Sequence, residues 1–361
     1  MNPLKDNVSH QNLSPEIYCN YALLGNNNGN DVKPLHPWWV TGYTDGEGSF
    51  VINTTEAKTS TIGFTVRLIY QITVHPSDEA ILHSLKGFFK GVGDIVYSKH
   101  YVAYRVSKFS DIIQFIIPHF DKYPLQSTKV VPYYLFKAVA NIMVKKEHLM
   151  LTGFREVLAY KAASKKGLKA QIFSSNLFKD ITPHNVENVY VPDSQSILEP
   201  EYVSGFVAAD GSFSIKRPGV GTKWPNYDAT FNIAQSKRDE ALLNRIALTL
   251  GCGNLSEDSN GMCYLGVRNK EELQKIIVPF FTKYNINTEK HRDFLNFAFA
   301  VSILYKNKGK GLKNLTQEQR EHLDFCISQM NKNRYSPEKS LKRTKEGMNS
   351  ERANLLISQA Y

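Results

Sequence analysis

A twelve-residue phrase occurs twice in this chain of 361 residues. The first copy is Trp39-Val40-Thr41-Gly42-Tyr43-Thr44-Asp45-Gly46-Glu47-Gly48-Ser49-Phe50, and the second is Tyr202-Val203-Ser204-Gly205-Phe206-Val207-Ala208-Ala209-Asp210-Gly211-Ser212-Phe213. Each is an apolar helical stretch that stops at a carboxylate, followed by glycine, serine and phenylalanine. The offset is 205 − 42 = 163, and Pro37 and Pro200 keep it. A repeat fixes architecture before any local pattern does, because each copy must be one structural unit. This one also sets one acid in each half, Glu47 and Asp210, at equivalent positions.

The length fits two domains of ~150 residues. A hydrophobic fraction of 42% with 12% aromatics supplies real cores and excludes a disordered chain. The net charge of +10 and a pI near 9.2 favour a polyanionic partner, nucleic acid first and anionic membrane second. Cys19, Cys252, Cys263 and Cys326 lack zinc-ligand spacing and read as reduced and structural. No segment reaches the ~18 apolar residues of a membrane span. Residues 1–30 carry no Arg, while Asp6 and Glu16 are acidic, opposite to a transit peptide. Richness in Asn, Lys, Ile, Phe and Tyr matches A/T-rich codons such as an organelle genome uses. Together these features lead us to expect synthesis inside the organelle rather than import.

Residues 1–35 read as a flexible leader. After Gly48 the period changes from helical to alternating. In Phe64–Thr73 every even position is apolar and the odd ones are mostly polar, which predicts a strand with one buried and one wet face. Ser49–Thr54 is its expected hairpin partner, Asp78–Phe89 a helix ending at Gly91, and Tyr97–Ser107 two further short strands. Helices are expected over Asp111–Phe120 and Ser127–Val144. The second half repeats the order, with strands at Ser212–Arg217, Ala229–Ala234 and Met262–Val267 and helices at Asp239–Leu250, Glu271–Phe281 and Thr288–Tyr305. Each half, 36–164 and 200–335, is thus an α-β-β-α-β-β-α unit. The polar, Pro-containing stretch 165–199 links them, and 336–361 is a basic tail. The fold class is α+β.

Gly42 and Gly46 are four residues apart, as are Gly205 and Ala209. Small residues at i and i+4 line one helix face and admit a second helix at close range. If the two motif helices cross through these faces, Glu47 and Asp210 meet at their C-terminal ends. Two like charges would then share the negative ends of two helix dipoles. A divalent cation relieves both, and oxygen-only ligands suit Mg²⁺. Carboxylates holding such ions beside a phosphodiester are the ingredients of metal-assisted hydrolysis.

The stretches Gly42–Gly48 and Gly205–Gly211 resemble the second half of the LAGLIDADG motif of homing endonucleases and intron maturases, in its single-chain, two-repeat form. The resemblance covers about residues 37–335. It implies two units forming a saddle of antiparallel sheets over DNA, with the motif helices at the interface. It also implies that the last acid of each motif, Glu47 and Asp210, binds the metals, with the backbone carbonyls of Gly46 and Ala209 as further ligands. Lys129 and Lys290 look like the basic residues that order water or steady phosphate charge there, and Gln235 like a polar active-site residue. Symmetry does not support Gln235, whose first-half counterpart is Val74. One departure stands out: the earlier acid of the motif is Asp45 in the first copy but Ala208 in the second.

Two-stranded ribbons fit the DNA major groove, where Arg reads guanine, Gln and Asn adenine, and Asp cytosine. The polar faces of the strands offer Ser49, Asn53, Thr65, Arg67, Gln71, Thr73, Arg105 and Ser107 in the first half. The second offers Ser212, Ser214, Lys216, Asp228, Thr230, Asn232 and Arg268. Lys145-Lys146, Lys165-Lys166, Lys306, Lys308, Lys310 and Lys313 are candidate phosphate contacts. The expectation is a monomeric, Mg²⁺-dependent, mitochondrial double-strand DNA endonuclease with an asymmetric target of roughly 20 base pairs at ~10.5 per turn. The alternative is an intron RNA maturase on the same scaffold, which needs the basic surface but not the acids.

Overall fold

The computed structural model describes residues 34–165, 167–168, 177–190, 193–217, 226–307 and 315–331. The expected basic tail, nearly all of the expected leader, and Cys19, Lys166, Lys308, Lys310 and Lys313 lie outside them. One compact unit comprises Pro34–Phe213 and Thr230–His291. The other comprises the described parts of Ser214–Ala229 and Arg292–Tyr361.

In chain order the first repeat runs α1 (Pro37–Glu47), β1 (Gly48–Glu56), β2 (Phe64–Val74), α2 (Glu79–Phe88), β3 (Asp94–Tyr97), β4 (Val102–Val106), α3 (109–122), α4 (Val130–Val144) and α5 (Leu151–Ala162). The second runs α6 (Pro200–Asp210), β5 (Gly211–Lys216), β6 (Asp228–Ser236), α7 (Glu240–Leu250), β7 (Asn254–Glu257), β8 (Met262–Val267), α8 (270–283), α9 (Lys290–Lys306) and α10 (Gln317–Ser328). The sheets have the same order, β1-β2-β4-β3 and β5-β6-β8-β7. The fold is α+β with two four-stranded antiparallel sheets, as the repeat and its periodicities predict.

The alternation in β2 is the reason for its placement. Leu68, Tyr70, Ile72 and Val74 are buried, whereas Thr65 and Arg67 face outward. Register pairs Asn53 with Arg67, Ser49 with Gln71, and Gln71 with Arg105, so the polar residues form cross-strand rows. The structure corrects or completes three readings. β3 begins at Asp94, ahead of the expected Tyr97, and the strand that the unit order requires before Met262 is β7, Asn254–Glu257. These four-residue strands are too short to show a period of two. Helices α5 and α10 were not anticipated. Leu151–Ala162 opens directly after Met150 with no capping side chain, so nothing marks its start.

α3 and α8 share a local defect. Each widens to π geometry over five residues, Ile112–Ile116 and Leu273–Ile277, just before Pro118 and Pro279. Proline lacks the N–H and crowds the carbonyl four residues back, so the helix opens by one residue there. After the defect, His119 turns into the core beside Phe88, Phe89 and Phe120. Its Nε2 lies 3.2 Å from Thr41 Oγ1.

Burial pushes the His119 imidazole down to about 3. A histidine whose folded pKa is depressed is protonated more readily in the unfolded chain. Its stabilising contribution is therefore complete above the unfolded value of ~6.5 and is lost as pH falls from there toward 3. Between pH 6 and 4 the chain should lose up to about 1.4 kcal/mol per pH unit from this group. Denaturant titrations at several pH values should show that slope flattened in His119→Phe, phenylalanine being the residue at the equivalent Phe280.

The two β-hairpins are braced differently. In the first repeat, Lys161 of α5 donates to Thr54 Oγ1 at 2.7 Å. Phe154, Leu158 and Phe178 form a small buried cluster against Phe64 and Val66. Phe178 comes from the segment between the repeats, held by an Arg155–Asp180 ion pair at 2.8 Å. In the other unit, Asp324 of α10 accepts from Arg217 Nε at 2.7 Å and from Tyr227 hydroxyl at 3.0 Å. α10 itself starts at a capping box of Thr316 and Gln319. No helix among the described residues is long and apolar enough to cross a membrane.

Candidate active site

α1 and α6 cross with backbone in contact. A Cβ on Gly42 would lie 2.1 Å from the Tyr202 carbonyl oxygen, and one on Gly205 would lie 2.1 Å from that of Trp39. One turn on, a Cβ on Gly46 would lie 2.1 Å from the Ala209 methyl carbon and 3.4 Å from Asp210 Oδ2. The small-residue faces read from the sequence are therefore the crossing surfaces, and they bring the helix ends together. Glu47 is the last residue of α1 and Asp210 the last of α6. Each chain turns at once into a strand through an extended glycine, Gly48 or Gly211, whose N–H returns to Thr44 O or Val207 O.

Both carboxylates reach solvent, yet both are crowded. Burial of its surroundings raises the Glu47 carboxyl above its usual range. Asp210 raises it further, and Lys290 and Lys129 pull it back. Asp210 is also raised by burial and is lowered by Gln235, Lys290 and Lys129. Gln235 Nε2 donates to Asp210 Oδ2 at 2.6 Å. The first-half equivalent, Val74, is a buried core residue, so this contact is confined to one half.

The lysines explain how two acids tolerate two helix C-termini. Lys129 Nζ donates to the carbonyls of Thr44 at 3.0 Å and Gly46 at 2.8 Å. Lys290 Nζ donates to those of Val207 at 3.1 Å and Ala209 at 2.7 Å. Each ammonium satisfies last-turn carbonyls and opposes the negative end of a dipole. Burial lowers the Lys129 ammonium, while Asp45, Asp210, Glu47 and Asp239 raise it. The Gly46 and Ala209 carbonyls, expected as metal ligands, are thus engaged by lysine; each carbonyl keeps a second lone pair.

Asp45, the unmatched acid, is bonded to groups outside the acid pair. It is 5% exposed and accepts from Gln126 N at 2.7 Å, Ser127 N at 3.3 Å, Ser127 Oγ and Tyr202 hydroxyl at 2.7 Å. It holds the turn leading into α4. Ala208 has no such role; the second half keeps the neighbouring contact, Ser204 donating to the carbonyls of Tyr284 and Asn285 as Thr41 donates to that of Tyr123. Sequence reasoning did not find these partners, because Asp45 and Ser127 are too far apart in the chain for any local pattern to join them.

Of the strand residues expected to face a partner, Thr65, Arg67, Ser212, Lys216, Asp228 and Arg268 are exposed. Ser49, Asn53, Gln71, Thr73, Arg105, Ser107, Ser214, Thr230 and Asn232 are half-buried. His75 caps the turn Pro76–Asp78. A second group of possible ligands among the described residues, Glu240, Glu257 and Cys263, is occupied by Lys237, whose Nζ lies 3.0 Å from Glu240 and 2.5 Å from Glu257.

Fold and site together define a class: a duplicated α+β unit that presents one acid per copy where two glycine-packed helices end. The family model described as LAGLIDADG endonuclease matches residues 40–140 and 203–301, one span per repeat. The chain belongs to the LAGLIDADG endonuclease family. It is 31% identical to probable intron-encoded endonuclease 2 of Neurospora crassa over 297 residues, covering 78% of this chain and 64% of that one. It is 28% identical to probable intron-encoded DNA endonuclease 1 of Mycosarcoma maydis, covering 70% and 94%. The chain thus spans just under two thirds of the Neurospora relative. Among solved structures it is similar to I-SmaMI bound to an uncleaved DNA target with calcium ions, at 32% identity and TM-score 0.75, covering 82% of this chain and 99% of that one. It is also similar to I-GzeII in complex with its DNA target, at 28% identity and TM-score 0.74, covering 83% and 99%.

Proposed function

We propose that this chain is a site-specific double-strand DNA endonuclease of intron homing. The observation that carries the reading is the meeting of Glu47 and Asp210 at the crossed helix ends, each flanked by a lysine on the last-turn carbonyls. The named relatives and neighbours are endonucleases, two of them solved with DNA, which favours cleavage over the RNA-splicing alternative.

The donor set fits a divalent cation, with Mg²⁺ as the natural choice. The ligands are oxygen only and the carboxylates reach solvent. Burial raises both carboxyls, and the charge of Asp210 raises Glu47 further, a penalty on the ionised forms that a bound cation would relieve. When bound, such an ion polarises the phosphate and lowers the pKa of attacking water. Glu47 and Asp210 would hold it, with the Gly46 and Ala209 carbonyls alongside. Gln235 fixes the orientation of Asp210 through Oδ2. Lys129 and Lys290 keep the helix ends in place and add positive charge beside the scissile phosphates.

The two acid–lysine sets are pseudo-equivalent, as are the two strands of a duplex, so each set serves one strand. The polar rows on β1, β2 and β4, and their counterparts Ser212 to Arg268, would read the major groove on either side. Their different residues favour an asymmetric target of roughly 20 base pairs. A single chain carries both halves, so we read the protein as monomeric, with repeat domains 36–164 and 200–335. The intron-encoded fungal relatives support a mitochondrial setting.

The decisive experiment incubates the full chain with duplex DNA spanning the intron-free insertion junction. Linear double-strand breaks should form with Mg²⁺ and vanish with EDTA. Uncut junction DNA in the presence of Mg²⁺ overturns the reading, and tight binding of the intron transcript instead would move it to RNA splicing.

A further inference from the structure

Two contacts run from each repeat into the other and end beside the lysines. Asp239, in the turn between β6 and α7, accepts from the backbone N–H of Thr128 at 2.7 Å and from its hydroxyl at 2.8 Å. Asp78, in the turn between β2 and α2, accepts from the backbone N–H of Glu289 at 3.1 Å. Thr128 is the residue before Lys129, and Glu289 the residue before Lys290. The spacing is the same throughout: 239 − 78 = 289 − 128 = 290 − 129 = 161. The duplication therefore carries one contact onto the other, which a chance meeting of surfaces would not do.

We propose that Asp239 and Asp78 are positioning residues that act crosswise. Asp239 of the second repeat sets Lys129 of the first, and Asp78 of the first sets Lys290 of the second. The physical basis is the unsatisfied N–H groups at a helix start, which an acidic side chain caps. Here the cap comes from the opposite repeat, and it lands on the residue whose backbone aims the lysine.

The target of that aim is narrow. Each ammonium must meet two carbonyls at once, 3.0 and 2.8 Å away for Lys129 and 3.1 and 2.7 Å for Lys290. A small rotation of the helix start keeps one bond and loses the other. Asp239 is 7% exposed and makes two bonds, while Asp78 is half-buried and makes one to the turn, so the first tie is the stronger. Ser127, the residue before Thr128, is held by Asp45 and accepts from the Lys129 N–H through its hydroxyl at 3.0 Å. Lys129 is consequently aimed by its own repeat and by the other, and each strand's site depends on both halves being docked.

The test compares Asp239→Ala, Asp239→Asn and Asp78→Ala in the full chain, with two readouts. The first needs neither metal nor DNA: the acetylation rates of Lys129 and Lys290, read by mass spectrometry. Asp239→Ala should speed labelling of Lys129 about ten-fold and leave Lys290 unchanged, the loss of a charged cap being worth roughly that factor. Asp78→Ala should do the reverse with a smaller factor. Asp239→Asn, which still accepts from the N–H, should restore slow labelling.

The second readout, resting on the endonuclease reading, is strand-resolved cleavage at saturating substrate. The two alanine variants should accumulate DNA nicked in opposite strands, with affinity for the target within about two-fold of the unmodified chain. Equal speeding of both lysines, or equal slowing of both strands, would mean general loosening and would overturn the proposal. Unchanged labelling overturns it too. If the unmodified chain cuts no DNA, the endonuclease reading falls, while the labelling arm still decides the crosswise tie.

Discussion

Glu47→Gln and Asp210→Asn are each expected to lower double-strand cleavage by about 10³-fold, several kcal/mol of transition-state stabilisation at 1.36 kcal/mol per tenfold. The loss should not come from unfolding. Both carboxyls are held above their usual pKa, so each binds a proton more tightly in the folded chain than in the unfolded one. While both are ionised the pair costs stability, and that cost fades as pH falls through their folded pKa values toward the unfolded ones. Either amide should therefore melt at the same temperature as the unmodified chain or slightly above it. Mg²⁺ or Ca²⁺ should raise the melting temperature of the unmodified chain by binding the folded form alone, and the double variant should lose that rise. Calorimetry with and without cation, beside a plasmid-cleavage assay, checks both halves. A double variant that still cuts at the unmodified rate would remove these acids from the chemistry.

Gly42→Ala or Gly205→Ala should destabilise the protein by about 3 kcal/mol or more, the top of the range for overpacking. The added carbon would meet a backbone carbonyl oxygen at 2.1 Å, and backbone cannot rotate away as a side chain can. α1 and α6 would have to part along their whole crossing. At ~2–4 °C per kcal/mol for a chain of this class, the melting temperature should drop by about 10 °C. Gly87→Ala is the control. It lies within α2 with nothing within 4 Å of an added Cβ, and the change should be neutral or stabilising by up to ~1 kcal/mol. Equal effects at Gly42 and Gly87 would show that the crossing tolerates separation.

Much of this was legible because it repeats. The doubled phrase placed the two helices, the glycine spacing placed their crossing, and the crossing placed Glu47 beside Asp210. Alternation over 64–73 gave β2 its inward face, with Leu68, Tyr70 and Ile72 buried as expected. The contacts that the sequence does not reveal share another property: their partners are remote. Asp45 meets Ser127, Asp239 meets Thr128, and Asp78 meets Glu289 only after the chain has folded. An isolated aspartate at a helix start reads as an ordinary cap for its own helix. Lys129 and Lys290 were visible as equivalent positions, yet their partners on the last-turn carbonyls were not, since backbone acceptors leave no trace in a sequence.

The Asp45–Tyr202 hydrogen bond carries a consequence for exchange of parts. Asp45 belongs to the first repeat and Tyr202 to the second. Their equivalents at an offset of 163 are Ala208 and Trp39. Two first repeats docked on each other would bury a carboxylate against an indole, and two second repeats would set a phenol against a methyl group. The mixed pairing sets a phenol donor on a carboxylate acceptor at 2.7 Å. The two halves are thus mating parts of different gender, and a chimaera that swaps one half for a relative's must carry the matching residue of this pair with it.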